Sequence, residues 1–180
     1  MDNSTENVTL FAVFINDILR NYEEKKEDYE ELFAMTEGHD LSDPFNKVPI
    51  QLYNDLCAWI EDNLGKFNLI RVGRNVGETV YDSLIQNNLL SESSTPLDTM
   101  EALKGAAETM VQDDKMRGWE ILEHTDNSIM MRRTQTFNSQ LQIGLLDGLV
   151  RKTKKSGVKV EYSKKIEDGA DFDEYIITWF

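Results

Sequence analysis

Cysteine is almost missing from this chain: Cys57 stands alone, and His39 and His124 are the only histidines. An internal disulfide and a multi-cysteine zinc site are therefore excluded, and a lone thiol suits a reducing cytoplasm. Positive charge is scarce too. The 19 Lys and Arg face 33 Asp and Glu, a formal net charge of -14. A chain this acidic lacks the basic face that would follow a nucleic-acid backbone or dock on an anionic membrane. Long hydrophobic runs are absent as well. The apolar stretch of "MDNSTENVTLFAVFINDILR" is broken by Asn16 and Asp17, is far too short for a bilayer, and has no positive leader or small-residue cleavage pattern. The expectation is a cytoplasmic protein with neither nucleic acid nor membrane as partner.

Signatures of chemistry are equally thin. There is no P-loop, no G-x-G-x-x-G and no EF-hand spacing. His39 sits in a Gly-Asp loop and His124 near the end of a predicted strand, and neither has an H-x-x-x-H partner. Two isolated histidines and a distant cysteine do not make a nucleophilic triad. Carboxylates are so abundant that no acid pair stands out. No catalytic residue and no metal ligand set is assigned, and a non-enzyme is expected.

What is present is ordinary for a globular protein: 40% hydrophobic and 29% charged residues over a length suited to one domain, 1–180. Residues 1–114 read as mainly helical. Val8, Phe11, Ala12, Phe14, Ile15 and Ile18 form a helical apolar stripe, followed by the acidic run "NYEEKKEDYEELF", whose mixed signs describe a solvated helical face. "IQLYNDLCAWIEDNLG" carries Leu52, Leu56, Trp59 and Ile60 on one face and closes at Gly65, a C-cap candidate. Another helix covers "NLIRVGRNVGETVYDSLIQNNLL", with Gly73 and Gly77 four apart. Ser94, Thr95 and Pro96 open a further helix, Pro96 fitting its first position.

After Asp114 the period changes from helical to alternating. "GWEILEHT" and "SIMMRRTQ" flank the turn pair Asp126-Asn127, which predicts a hairpin. Val158, Val160 and Tyr162 alternate with charged and polar neighbours, and Asp168-Gly169 turns the chain into "FDEYIITWF". Between the hairpins lies "FNSQLQIGLLDGLVRK", a helix carrying Gly144 and Gly148. Each glycine costs a helix interior about 1 kcal/mol relative to alanine. Close packing of this helix on a sheet is the expected reason for them. The fold class is α+β: an N-terminal helical layer packed on a C-terminal four-stranded antiparallel sheet built as hairpin–helix–hairpin over 115–180.

The order "QIGLLDGLVRK" then "VKVEYSKKIEDGADFDEYIITW" resembles the C-terminal end of haem–nitric-oxide-binding (H-NOX) domains. It is also similar to the 4-vinyl reductase domain and to its relatives, TRAPP vesicle-tethering subunits and the sensor domains of aromatic-responsive bacterial activators. "VPIQLYNDLCAWIEDNLGKFNLIRVGRNVGE" is similar to the helix–glycine–helix stretch of these relatives. The resemblance implies a bacterial-type sensory domain. The family's haem ligands, however, are missing from the sequence. The Tyr-x-Ser-x-Arg clamp on the haem carboxylates aligns with Met131, Arg132, Arg133, Thr134 and Gln135, and the segment "LDTMEALKGAAETMVQ", where the axial histidine is expected, has none. The cysteines that suggest a metal in the 4-vinyl reductase type are absent from the last hairpin. No cofactor is expected, haem included.

An inventory of Trp59, Met100, Met110, Met116, Trp119, Met130 and Met131 remains, residues that fill cores and also line small-molecule cavities. In the related sensor domains the ligand lies between helical layer and sheet. A cavity there would draw on Trp59, Met100, Met110 and Trp119, with Met131, Arg133 and Gln135 near its polar end by the family alignment. The leading expectation is a non-catalytic module that binds a small apolar molecule and signals through a protein partner. The alternative is a homodimeric interaction scaffold with a filled core. In that case the basic segment Arg151 to Lys165 would meet the acidic residues Glu23–Glu31 of a second copy. A third reading, haem-based gas sensing through an unorthodox ligand such as His124, is the least favoured.

Overall fold

The computed structural model describes residues 4–180. The chain opens with a short strand, β1 (Thr9–Phe11), and a short helix, α1 (Val13–Leu19). The expected continuous helical stripe from Val8 is thus interrupted. β1 instead pairs with β2 (Lys47–Pro49) on one side and β3 (Val111–Gln112) on the other, a three-stranded antiparallel sheet absent from the sequence-based expectation. Leu10, fully buried, opposes Val48 and Val111, and Thr9 Oγ1 donates to Gln112 Oε1 at 2.9 Å. The β-forming run Val-Thr-Leu-Phe is captured by distant partners, and tertiary pairing outweighs helical periodicity. The acidic run is a solvated 3-10 stretch over Glu23–Tyr29 followed by α2 (Glu30–Ala34), anchored by the fully buried Leu32.

α3 (Ile50–Leu64) follows Pro49 directly, and α4 (Lys66–Gln86) follows α3 after Gly65 alone. Gly65 has φ 87°, a left-handed value that glycine takes without strain, so the corner between the two helices can be one residue long. α5 (Pro96–Met110) begins with a complete capping box: the Thr95 side chain accepts from the Asp98 N–H, and the Asp98 carboxylate accepts from the Thr95 N–H. The C-terminal part contains β4 (Trp119–His124), β5 (Ser128–Arg133), α6 (Ser139–Lys152), β6 (Lys159–Lys164) and β7 (Asp173–Thr178). Its sheet has the order β4-β5-β7-β6, antiparallel throughout, with Met131 opposite Tyr175. The architecture is α+β with a four-stranded antiparallel sheet. Among the described residues no helix is long and apolar enough to cross a membrane.

α6 is buried over most of its circumference, Gln142 and Asp147 included. Its glycines do not face the sheet, which corrects the expectation. They face α4. A Cβ on Gly144 would lie 2.0 Å from the Ile70 carbonyl oxygen, and one on Gly148 2.3 Å from that of Arg74. Gly73 and Gly77 return the contact, with Cβ positions 2.1 Å from the Leu141 oxygen and 2.3 Å from the Leu145 oxygen. Two pairs of glycines, each spaced one turn apart, thus let two helix backbones touch. Asp147, with a side chain 8% exposed, secures the crossing by accepting from Arg74 at 2.5 Å and from Arg151 at 2.7 Å. The opposite face of α6 sends Leu146 and Val150 into a core continuous with Ile15, Leu56, Tyr175 and Ile177.

Candidate functional site

Five helices, α1 and α3 to α6, and strand β4 fail to fill the space between them. The resulting cavity measures about 210 Å³. α5 lines it with Leu103, Ala106, Ala107 and Met110, residues spaced i, i+3, i+4 and i+7 on one face. α4 contributes Val76, Val80 and Leu84 at intervals of one turn. Val13 and Phe14 of α1, Trp119 of β4, Phe137 and Leu145 complete the apolar wall. The void has a local cause: two adjacent alanines stand on α5 where larger side chains would close the gap. The ring of Phe14 stacks on Phe137 at 6.0 Å, and Tyr53 meets Phe137 edge-on at 5.0 Å, so this part of the wall is rigid and aromatic.

Polar groups are few. Gln142 Nε2 donates to the Tyr53 hydroxyl over 3.5 Å, and burial pushes the Tyr53 pKa well above its ordinary value. Asp17 of α1 is the charged group of the wall that is withdrawn from water, its side chain 9% exposed. Its Oδ1 lies 3.3 Å from Arg20 Nη1, yet no group among the described residues makes a hydrogen bond to it. That distance comes without hydrogen-bond alignment, so the contact is an ion pair only. Burial raises the Asp17 pKa, and the Arg20 charge offsets this in part. Outside the cavity lies a polar hollow that shares Asp17, Arg20 and Thr79 with it and adds Asn21, Arg71 and Asn75.

Of the residues expected from sequence, Met110 and Trp119 stand in this wall. The others are elsewhere. Met100 is fully buried in the core, and Trp59 is half-buried on α3 with its indole N–H 3.3 Å from Glu31 Oε2. Met131, Arg133 and Gln135 all point inward, at 0%, 3% and 3% exposure, but do not line the cavity. Arg133 donates to Asp173, to Ser139 Oγ at 2.9 Å and to the Gln135 carbonyl. Gln135 Nε2 donates to Asp113 Oδ2 at 3.1 Å, and its Oε1 accepts from the Thr136 N–H at 2.6 Å. Arg133 and Gln135, two of the positions that the resemblance aligned with the haem-carboxylate clamp, are thus engaged with carboxylates of the protein itself. Met116 is 88% exposed on a loop and packs in no core. Phe14, Asp17, Val76, Val80 and Leu145 line the cavity without having been anticipated. The one-turn spacing on α4 and the small residues within the α5 stripe were the available signals.

Among the described residues that line the cavity there is no histidine and no cysteine, and Met110 supplies the sulfur. His39 and His124 are exposed. No three His, Cys, Asp or Glu side chains among the described residues gather as a metal site would require. The basic segment from Arg151, in the last turn of α6, to Lys165 is largely paired within the chain: Arg151 with Asp147, Lys152 with Asp82, Lys159 with Glu161 and Lys164 with Glu174.

No protein-family model matches the chain, and no curated protein does. Solved structures do match in fold. The H-NOX protein of S. oneidensis in the Fe(II)NO state superposes with a TM-score of 0.72 at 9% identity, covering 95% of this chain and 99% of that one. The Fe(II) unliganded H-NOX protein of K. algicida gives 0.70 at 16% identity, over 95% and 97%. A trafficking protein particle complex subunit 3 from Naegleria fowleri, covalently bound to palmitic acid, gives 0.54 at 14% identity, over 73% and 92%. The fold is that of H-NOX domains and is shared in part with a TRAPP subunit.

Proposed function

We propose that this chain is a non-catalytic, haem-free ligand-binding module of the sensory kind. It takes a small apolar molecule into the cavity between α1, α4, α5 and α6 and reports its presence to a protein partner. The observation that carries this reading is an apolar cavity of about 210 Å³ in a fold otherwise seen in H-NOX proteins. An apolar cavity of about 150 Å³ stays dry and takes benzene or xenon. The larger volume here suits one substituted ring or a short acyl chain, and lies below the ~300 Å³ at which sites for drug-sized ligands begin.

The donor set does not fit haem. Of the usual axial ligands the wall holds Met110 and Tyr53; burial raises the Tyr53 pKa well above its ordinary value and so disfavours the phenolate that would ligate iron, and Arg133 and Gln135 are turned to Asp173 and Asp113. Catalysis has no support either. Cys57 lies fully buried outside the cavity, and burial, with the negative charge of Glu61, pushes its thiol pKa well up, away from the reactive thiolate. Signalling would start at α5, which supplies the small-residue wall and packs on β4, so a ligand that displaces α5 acts on the sheet.

The test is thermal unfolding of the wild type and of Ala107→Phe, which fills the cavity, with benzene or toluene as probe. At a concentration of 100 Kd a bound probe stabilises by about 2.7 kcal/mol. For a domain this size that is a rise in Tm of roughly 5–11 °C. Ala107→Phe should abolish the rise. Equal shifts in both proteins, or no shift with either probe, would refute cavity binding. A stoichiometric Soret band on haemin titration would refute the haem-free reading separately.

A further inference from the structure

Asp17 Oδ1 is a buried acceptor that receives no hydrogen bond among the described residues. We propose that the ligand of the cavity is an apolar body ending in a hydrogen-bond donor, a hydroxyl or an ammonium, that docks on Asp17. This rests on the cavity being a binding site and specifies which small molecules it selects. Three observations carry it. First, Asp17 lines both the apolar cavity and the polar hollow outside it, so it stands where an amphipathic molecule would place its head. Second, its side chain is 9% exposed and its Oδ1 has no hydrogen bond among the described residues. Buried polar atoms in folded proteins are nearly always satisfied, and this one, itself covered, belongs to the residue at which the cavity meets the hollow. Third, its ion-pair partner is the exposed end of an arginine one turn along the same helix, with a side chain 61% exposed. Arg20 can swing into water and yield the carboxylate without any change in the core.

The neighbouring polar groups are already occupied. Thr79 Oγ1 donates to the Asn75 carbonyl at 3.1 Å, Asn75 donates to Asn21 Oδ1 at 2.7 Å, and Asn21 donates to the Asp17 main-chain carbonyl at 2.8 Å. Gln142 is turned to Tyr53. None of these competes with a ligand for Asp17 Oδ1. A hydrocarbon of equal size would fill the same wall but bind more weakly than a ligand with a donor, because it leaves the carboxylate without a hydrogen bond.

The experiment is calorimetric titration of the wild type, Asp17→Asn and Asp17→Leu with four probes of one size: toluene, benzyl alcohol, benzylamine and benzoate. The expected result is that benzyl alcohol or benzylamine binds the wild type about tenfold or more tighter than toluene, the range for a hydrogen bond to a charged group. Which of the two binds tighter identifies the head as neutral or cationic. Asp17→Leu should bind toluene at least as well as before and lose the preference, and Asp17→Asn should weaken benzylamine most. If toluene binds as tightly as both donors, or benzoate binds tightest, the role of Asp17 is overturned while cavity binding stands. If no probe binds any of the three proteins, cavity binding and the role of Asp17 fall together.

Discussion

The contact between α4 and α6 makes a quantitative demand on its glycines. In a helix open to solvent, Gly→Ala is favourable by about 1 kcal/mol, because alanine loses less backbone entropy on ordering. Gly105 on α5 is such a position, exposed, with nothing within 4 Å of a built Cβ. Gly77 is the opposite case: its Cβ would stand 2.3 Å from the Leu145 carbonyl oxygen, whereas ordinary contact starts at 3.4 Å. The obstacle is main chain of another helix, which cannot rotate away, so α4 and α6 must part by about 1 Å, enough to forfeit a quarter to a half of the dispersion at the interface. An inserted methyl in a packed core costs about 1–3 kcal/mol, and a rigid obstacle belongs at or above the top of that range. After the gain of about 1 kcal/mol in helix propensity, Gly77→Ala should destabilise by about 2 kcal/mol or more. Its Tm should fall by roughly 4–8 °C or more, while that of Gly105→Ala rises by about 2–4 °C. Denaturant titration of the two variants beside wild type reads both signs. A Gly77→Ala protein as stable as Gly105→Ala would refute the argument that backbone contact, and not chance, placed the glycines. The same substitution shifts Val76 and Leu145, so a probe that binds the wild-type cavity should bind Gly77→Ala more weakly.

Three further outcomes follow from the buried charges. Arg133 and Asp173 are 3% and 2% exposed, and removing one partner of such a pair typically costs about 3–5 kcal/mol because the other charge is left buried and unpaired. Arg133→Met should show this loss in urea unfolding at pH 7, and Arg133→Met combined with Asp173→Leu should recover much of it; a double variant no better than the single would count against the pair. Stability should also fall in acid. Burial alone would raise the carboxyls of Asp113, Asp173 and Glu174, but hydrogen bonds from Arg117, from Ser139 and the Ile166 N–H, and from Arg132 and Lys164, with the charges of the basic partners, hold them below their ordinary values of 3.8, 3.8 and 4.5. With folded values below unfolded ones, their contribution is present above pH 3.8–4.5 and is lost as pH falls through the lowered folded values. Asp17 runs the other way: its raised value makes it favour low pH, with stability lost as pH climbs from 3.8 through the folded value. Urea midpoints from pH 7 to pH 2 should therefore drop steeply at the acid end, and Asp17→Asn should gain stability over wild type at pH 7 but not at pH 3; the reverse ordering would contradict the buried, unsatisfied state of Asp17.

Most elements of this protein are legible along the chain, because their causes are local. The Thr95-Pro96 start of α5, the Gly65 corner, the Asp126-Asn127 turn and the alternation in β5 to β7 each act within a few residues, so composition and period reveal them, and with them the α+β class and the four-stranded sheet. What the tertiary structure alone decided is who meets whom. The three-stranded sheet needs Leu10, Val48 and Val111 to come together from distant segments, each too short to read as a strand by itself. Gly73, Gly77, Gly144 and Gly148 are visible as two pairs at one-turn spacing, but that they face each other is a property of two helices docked backbone to backbone. Arg133 and Gln135 align with a clamp for an external carboxylate, and only the fold shows Asp173 and Asp113 already there. The cavity is the extreme case. A void is the shortfall between side chains from α1, α3, α4, α5, α6 and β4, and no stretch of sequence contains it. Its volume, and the isolation of Asp17 at its edge, depend on how far apart those elements settle. That spacing is governed by the glycine contact on one side and by the aromatic packing of Phe14, Tyr53 and Phe137 on the other.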